Sequence, residues 1–228
     1  MQIQEELKNF LISNGVADVG FARVNDAPFG GYAVSIVVRL SDAVIDEISD
    51  EPTHTYFHHY RTVNSFIDRM ILQCGFILEK YGYKYFPVGA SQSINKDGWN
   101  YNAKYSHKEV ACLAGLGGIG KNGLFLHKQY GARVRLGTLF TDCPFEITES
   151  EYSSPCIDCD KCVNACPSGA IKGVLWETGM TREEVFDPEK CSQYMKKKFQ
   201  HIGRGAVCGI CMRVCPAGKE QNYGTEQN

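Results

Sequence analysis

Eleven cysteines occur in this chain of 228 residues, and eight of them fall between Cys156 and Cys215. Four form the run Cys156-x-x-Cys159-x-x-Cys162-x-x-x-Cys166-Pro167, and three form Cys208-x-x-Cys211-x-x-x-Cys215-Pro216, with Cys191 between the runs. Three thiolates at two-residue steps can wrap one face of an iron–sulfur cubane if the backbone between them turns tightly. The fourth ligand must then come from elsewhere in the fold. Pro167 and Pro216 end the two runs, because proline cannot continue a helix that needs its N–H.

The spacing of the first run is that of two-cluster iron–sulfur proteins, in which the last cysteine of each run ligates the other run's cluster. On that rule, one [4Fe–4S] cluster takes Cys156, Cys159, Cys162 and Cys215. The second takes Cys166, Cys208 and Cys211, with Cys191 as its fourth ligand. Eight thiolates fill two sites with none left over. Disulfides or a zinc ribbon are the competing readings. Zinc asks for two pairs of ligands, and a third cysteine at the same step is surplus to that.

These ligands need elements to hold them. The chain is long enough for one sizeable core and a small appended domain. Its formal charge of −2 argues against a general nucleic-acid binder, whose mark is a basic excess. No apolar stretch approaches the ~20 residues of a membrane span. The polar, amphipathic start has no signal-peptide core. Thiolate ligands and three spare cysteines suit a reducing compartment, so a cytoplasmic location is expected.

In chain order, Ile3, Leu7, Phe10 and Leu11 predict an amphipathic helix over 2–13. Val16 to Val24 reads as a short extended segment. Tyr32 to Leu40 is β-branched and nearly all apolar, as in a central strand buried on both faces. Ser41-Asp42 caps a short helix through Ile48. A long helix is expected over 55–81, with Gly82 placed to end it, and Tyr83 to Val88 reads as a strand. Residues 90–105 lack periodicity and read as a loop. Ser106 and Glu109 form a capping box for a short helix to Ala114. Leu124–His127 and Arg133–Thr141 read as two antiparallel strands around Tyr130-Gly131. Asp187-Pro188 starts a helix that carries Cys191. The expected class is α+β: an N-terminal α/β cofactor-type domain with a mixed sheet, residues 1–150, and a C-terminal two-cluster ferredoxin-like domain, residues 151–228.

Between the short helix and the next strand lies Gly115-Leu116-Gly117-Gly118-Ile119-Gly120-Lys121-Asn122-Gly123. It matches G-x-G-x-x-G but follows a helix and opens a strand, the reverse of a dinucleotide fingerprint. As a P-loop it has Asn122 where magnesium needs Ser or Thr. Two readings stay open. Consecutive glycine N–H groups, with Lys121, can line an anion or cofactor site; or the loop is a tight turn that needs positive φ.

With this loop and the cysteine order together, the chain resembles the epoxyqueuosine reductases and their relatives, the reductive dehalogenases. The resemblance rests on AGLGGIGKNGL (Ala114–Leu124), the long cysteine run, the isolated Cys191 and the closing run, supported by DVGFARV and SIVVRL near the start. It implies a cobalamin held in the N-terminal domain and reduced by two clusters. The contacts it implies are Gly115, Gly117, Gly118, Gly120, Lys121 and Asn122, with Ser106 and His107 beside them. The reductases carry an aspartate proton donor before the glycine loop. Counted back from Ala114, that position is Tyr101, and reductive dehalogenases use a tyrosine. The alternative is that Tyr101 is an ordinary loop tyrosine. The chain ends thirteen residues after Cys215, without the family's C-terminal helical repeats that help hold tRNA, so tRNA is not the expected substrate.

Other candidates read more simply. Cys74, Cys112 and Cys143 are expected to be structural. Adjacent His58 and His59 cannot face the same way on a helix and are not expected to share a metal. His107 at N1 of its helix suits a neutral, hydrogen-bonding imidazole. Lys196-Lys197-Lys198 is a solvated face or a dock for an electron donor such as ferredoxin or flavodoxin. Two functions compete: an oxidoreductase passing electrons through two [4Fe–4S] clusters to a corrinoid or small-molecule substrate, and a cobalamin-free carrier or accessory protein.

Overall fold

The computed structural model describes residues 2–94, 101–147 and 152–218. Helix α1 spans Gln2–Ser13 and buries Ile3, Leu7 and Leu11, the expected stripe. Strands β1 (Asp18–Arg23) and β2 (Tyr32–Arg39) follow, then a short helix α2 (Asp42–Asp46), which ends two residues before Ile48. Helix α3 runs His54–Lys80; its N-cap, Thr53, accepts the backbone N–H of Tyr56 at 3.0 Å. Strand β3 (Tyr85–Val88), helix α4 (His107–Leu113), strands β4 (Gly117–Ile119) and β5 (Phe125–His127), and strand β6 (Val134–Thr141) complete the first part. The second part holds α5 (Lys161–Ala165), α6 (Arg182–Val185), α7 (Pro188–Lys198) and α8 (Ile210–Val214).

The main sheet has the order β1-β2-β6-β3, and every pairing among its described strands is antiparallel, so it is not mixed. The class stays α+β. Strand β2 is interior, as its apolar run required. Val34, Ile36 and Val38 face α1 and α3, while Ala33 and Val37 pack with α4 and the β4–β5 hairpin on the other face. Helix α3 comes close enough that a Cβ at Gly137 would lie 2.5 Å from Ile67 Cγ2. The larger core does not stop at the sheet: Ile48, Tyr56 and Val63 share it with Phe199, Val207, Ile210 and Met212. The cluster-bearing segment is therefore built onto the same hydrophobic mass rather than hung from a linker.

One expected pairing is corrected. The segment at 124–127 does not pair with Arg133–Thr141. Strand β5 pairs with β4, and β6 pairs with β2 and β3. Glycine permits the first of these, since a Cβ at Gly117 would fall 2.0 Å from Leu126 O. His127 then ties the hairpin to the sheet. Its Nδ1 accepts the N–H groups of Gln129 and Tyr130, so Nε2 carries the proton donated to Asp18 Oδ2 at 3.0 Å.

Candidate metal centres and the adjoining cavity

The two cysteine runs fold into the same device twice. In the first, Asp160 takes a left-handed conformation (φ 48°), five residues form α5, and Cys166 leaves in an extended conformation before Pro167. In the second, Gly209 takes φ 81°, five residues form α8, and Cys215 leaves extended before Pro216. The left-handed residue turns the chain so that cysteines on both sides of it face one way. Helices α5 and α8 pack on each other. As a result Cys156, Cys159, Cys162 and Cys215 line one small cavity. Cys166, Cys191, Cys208 and Cys211 line a second cavity of about 360 Å³. Cys191 comes from α7, whose N-cap Asp187 accepts the Lys190 N–H at 2.9 Å.

Eight thiols divided four and four around two spaces are the donor set that two [4Fe–4S] clusters require. Among the described residues, no three Cys, His, Asp or Glu side chains are placed to hold a single metal ion. The thiols surround a space rather than a point, which suits a multinuclear cluster better than zinc. Burial, then the neighbouring thiols, push Cys191 up to about 12 and Cys162 up to about 11. Cys211 lies deep yet open to the cavity, and the same causes raise it well above an ordinary thiol. Burial also opposes ionisation of Cys166, but the Ser168 hydroxyl and the N–H groups of residues 168, 170 and 171 outweigh it and hold the thiol below the usual value. Crowded thiols of this kind ionise when a cation's charge offsets their repulsion.

The first cavity is closed by Lys121, whose Nζ donates to Asp158 Oδ1 at 2.5 Å and Asp160 Oδ1 at 2.8 Å. These two hydrogen bonds raise the lysine's pKa, so it stays a cation inside the Cys156–Cys162 loop. The remaining glycine-loop residues are used differently from a cofactor cradle. A Cβ at Gly118 would lie 2.6 Å from Ser154 Cα, and one at Gly120 would lie 2.7 Å from Leu126 Cδ1. The space above Gly117, Gly118 and Gly120 is filled by the hairpin itself and by the Ser153–Ser154 stretch that enters the cluster segment. Gly115 ends the α4 turn with φ 69°. Of that set, Lys121 and Asn122 reach the cavities, and Asn122 borders both.

Ser106 and His107 also serve the framework. Ser106 Oγ accepts the Glu109 N–H at 3.3 Å. His107 Nε2 lies 3.1 Å from the carbonyl of Gly89, so it carries the proton, and Nδ1 accepts the Thr138 hydroxyl at 2.8 Å. Burial lowers its pKa and keeps it neutral. His59 Nε2 accepts the Ser41 N–H at 3.0 Å, a loop contact. Cys74 and Cys143 are fully buried.

The second cavity opens beyond its four thiols onto the N-terminal part. Tyr56 and Tyr60 of α3, Lys108 of α4, Arg135 of β6, Tyr101 and Arg182 all face it. Tyr101 has φ 55°, and its carbonyl accepts Arg182 Nη1 at 2.7 Å. Trp99 and Asn100, which precede Tyr101 in the chain, lie outside the described residues. The sequence reading missed Arg135 and Arg182 as cavity residues. Arg135 left a trace: it is a cation near the start of the otherwise apolar run VRLGTLF.

Residues 155–218 match the family model of the 4Fe-4S double cluster binding domain. An epoxyqueuosine reductase of Listeria monocytogenes is 31% identical over 123 residues, covering 50% of this chain and 30% of the relative. The epoxyqueuosine reductase of Vibrio cholerae is 28% identical over 152 residues, 61% of this chain and 37% of that one. The chain thus spans well under half the length of these curated relatives. Among solved structures, a catabolic reductive dehalogenase in complex with 3-bromo-4-hydroxybenzoic acid superposes with a TM-score of 0.72 at 20% identity, covering 95% of this chain and 31% of that one. The epoxyqueuosine reductase from Streptococcus thermophilus gives 0.58 at 20% identity, over 100% and 69%. The resemblance read from the cysteine order is met in both comparisons. The chain is an iron–sulfur protein with a double [4Fe–4S] domain, similar to epoxyqueuosine reductases and sharing its fold with them and with reductive dehalogenases. No helix of the described residues is long and apolar enough to cross a membrane.

Proposed function

We propose that this chain is an oxidoreductase in which two [4Fe–4S] clusters pass electrons to an acceptor bound in the cavity between its two parts. One observation carries the reading. Cys166, Cys191, Cys208 and Cys211 line the same space as Tyr60, Tyr101, Lys108 and Arg135. A plain electron carrier needs only the segment from Cys156 to Cys215; here a largely apolar, aromatic-lined cavity with a few polar groups continues from its second cluster site. The cavity of about 360 Å³ includes the space of the second cluster and continues past it to these side chains.

In this reading Cys156, Cys159, Cys162 and Cys215 hold the first cluster, and Cys166, Cys191, Cys208 and Cys211 the second. The clusters supply one-electron transfer when bound. A corrinoid is one candidate acceptor, because one structural neighbour is a reductive dehalogenase associated with B12-dependent dehalogenation. It would supply a redox-active cobalt, and Tyr56, Tyr60, Asn122 and Arg135 are the polar residues that would meet its edge. A small organic substrate reduced directly is the other. In this reading Tyr101 gives a proton to the reduced acceptor, a role supported by its place in the lining of the same cavity. An external donor such as a ferredoxin or flavodoxin feeds the clusters. One neighbour was solved with a tRNA stem loop. The formal charge of −2 favours a small-molecule substrate for this chain, because polyanion binding depends on clustered Lys and Arg.

The test is anaerobic reconstitution with iron and sulfide, with and without hydroxocobalamin. Two [4Fe–4S] signals and a retained, reducible corrinoid support the full reading. Two clusters with no retained corrinoid and no reducible acceptor favour the carrier. Tight, salt-sensitive tRNA binding would overturn the small-molecule substrate.

A further inference from the structure

Asn122 borders both cavities and is 3% exposed. Its Oδ1 accepts the Leu124 N–H at 3.1 Å, which fixes the amide's orientation, because a backbone N–H needs the amide oxygen and not the amide nitrogen. Gly120 makes room for this turn: a Cβ there would lie 3.1 Å from the same Oδ1. The amide nitrogen, Nδ2, has no protein partner among the described residues. Nor is it sealed in, since the sealed side-chain atoms without a partner are Ser35 Oγ and Arg133 Nε. Its hydrogens therefore face open space, and the open spaces at this residue are the two cavities.

The first cavity offers its occupant few other donors. Beyond its four cysteines it is lined by the apolar Leu126, Ile157, Pro216 and Ala217, and by Lys121 and Asp160. Lys121 is held by Asp158 and by Asp160 at 2.8 Å, so both charged ends are engaged in that contact. Asn122 is left as the neutral side-chain donor of this cavity that has no other partner.

We infer that Asn122 donates a hydrogen bond from Nδ2 to a sulfur of the first [4Fe–4S] cluster and raises that cluster's reduction potential. A cluster held by four thiolates gains negative charge on reduction. A donor to its sulfurs stabilises the reduced form, and such hydrogen bonds are among the factors that set cluster potentials. The amide carries two hydrogens, so this bond leaves the other for the larger cavity. The inference needs the two clusters and no acceptor, and it holds for an enzyme and for a carrier alike.

The experiment is an EPR-monitored redox titration of the reconstituted two-cluster chain, with the first cluster identified as the signal lost in Cys156→Ser. Asn122→Asp keeps an oxygen for the Leu124 N–H and replaces the donor by a second oxygen. Asn122→Leu removes the donor and adds no charge. Each should make reduction of the first cluster at least tenfold less favourable, about 59 mV for one electron, and should shift the second cluster less. With the asparagine amide nitrogen isotopically labelled, pulsed EPR of the reduced first cluster should show a nitrogen coupling that Asn122→Asp lacks. Wild-type iron content shows that the sites are intact; if the leucine variant loses iron, the aspartate variant and the labelled wild type decide. An unchanged first-cluster potential in an iron-replete variant overturns the inference. So does a shift of the second cluster as large as that of the first, or a wild-type spectrum without the nitrogen coupling. Failure to reduce any acceptor would count against the proposed function and leave these readings untouched.

Discussion

Cys166 and Cys215 leave their five-residue helices in the same extended conformation, and each lines the cavity of the other helix's run. The exchange is a consequence of packing. With α5 and α8 side by side, the residue that closes one helix is delivered past its own run to its neighbour's. Each cavity then depends on both runs, and the segment cannot form one four-thiol set without ordering the other.

This exchange predicts which cluster each variant loses. Cys166→Ser should remove the EPR signal of the cluster beside the large cavity, and Cys215→Ser the signal of the other. Iron content should fall by about half in each if the sites load independently. Loss of the same signal from both variants would overturn the crossed assignment.

A second prediction concerns the absent eighth member of the pattern. Three residues before Cys159 stands Cys156, but three before Cys208 stands Gly205. Gly205 has φ 69°, and a Cβ there would lie 2.7 Å from Lys196 Cα and from Met195 O. Helix α7 occupies the place a side chain would need, and the same helix brings Cys191. Gly205→Ala should cost about 1–2 kcal/mol for the left-handed backbone, with about 1–3 kcal/mol more from the overlap. Because the overlap pushes on α7, the cluster held with Cys191 should be lost first. Equal loss of both clusters, or none, would show that α7 does not depend on this contact.

How legible all this was differs between the parts. Covalent spacing constrains the cysteine runs so tightly that the division of thiols could be read without a fold. Periodicity fixed α1 and α3, because each carries one apolar stripe. It failed for β5, where the signal is contact between Gly117 and the Leu126 backbone, not any pattern along the strand. The glycine loop was ambiguous in a related way. Its glycines suggested a ligand, but what fills their missing side chains is Ser153, Ser154 and Leu126 of the same chain. Arg135 and Lys108 come from distant segments, and nothing local in either announces that both would face one cavity.

The Asp18–His127 contact gives the acid limb of stability. Burial raises the Asp18 pKa, but the hydrogen bond from His127 and that from the Val19 N–H outweigh it, so the net shift is downward. A carboxylate with a folded pKa below its unfolded value of about 3.9 stabilises the fold above that value. The contribution is lost as pH falls through the folded pKa. Thermal melts of the apoprotein should therefore show a steeper fall in Tm between about pH 5 and pH 3 for wild type than for Asp18→Asn, which keeps an acceptor but does not titrate. Parallel acid limbs would remove Asp18 from the account.

Tyr101 offers the sharpest test of chemistry. Its left-handed backbone (φ 55°) is rare for a residue with a bulky side chain, and the carbonyl bond from Arg182 Nη1 at 2.7 Å joins it to the cluster-bearing segment. Tyr101 borders the cavity that Cys166 and Cys191 also line. A tyrosine hydroxyl is among the side-chain groups that can give a proton to an acceptor that has just gained electrons. Tyr101→Phe keeps the ring, the backbone and the Arg182 contact, and removes the proton. Both clusters should load normally, and steady-state turnover of a reducible acceptor should fall by about 10²–10⁴-fold, the usual loss for a general acid. Electron transfer into the clusters, measured by the rate of their bleaching with a chemical reductant, should be unchanged, because the phenol acts after the electrons arrive. Turnover equal to wild type would reduce Tyr101 to a wall of the cavity and move the proton to solvent.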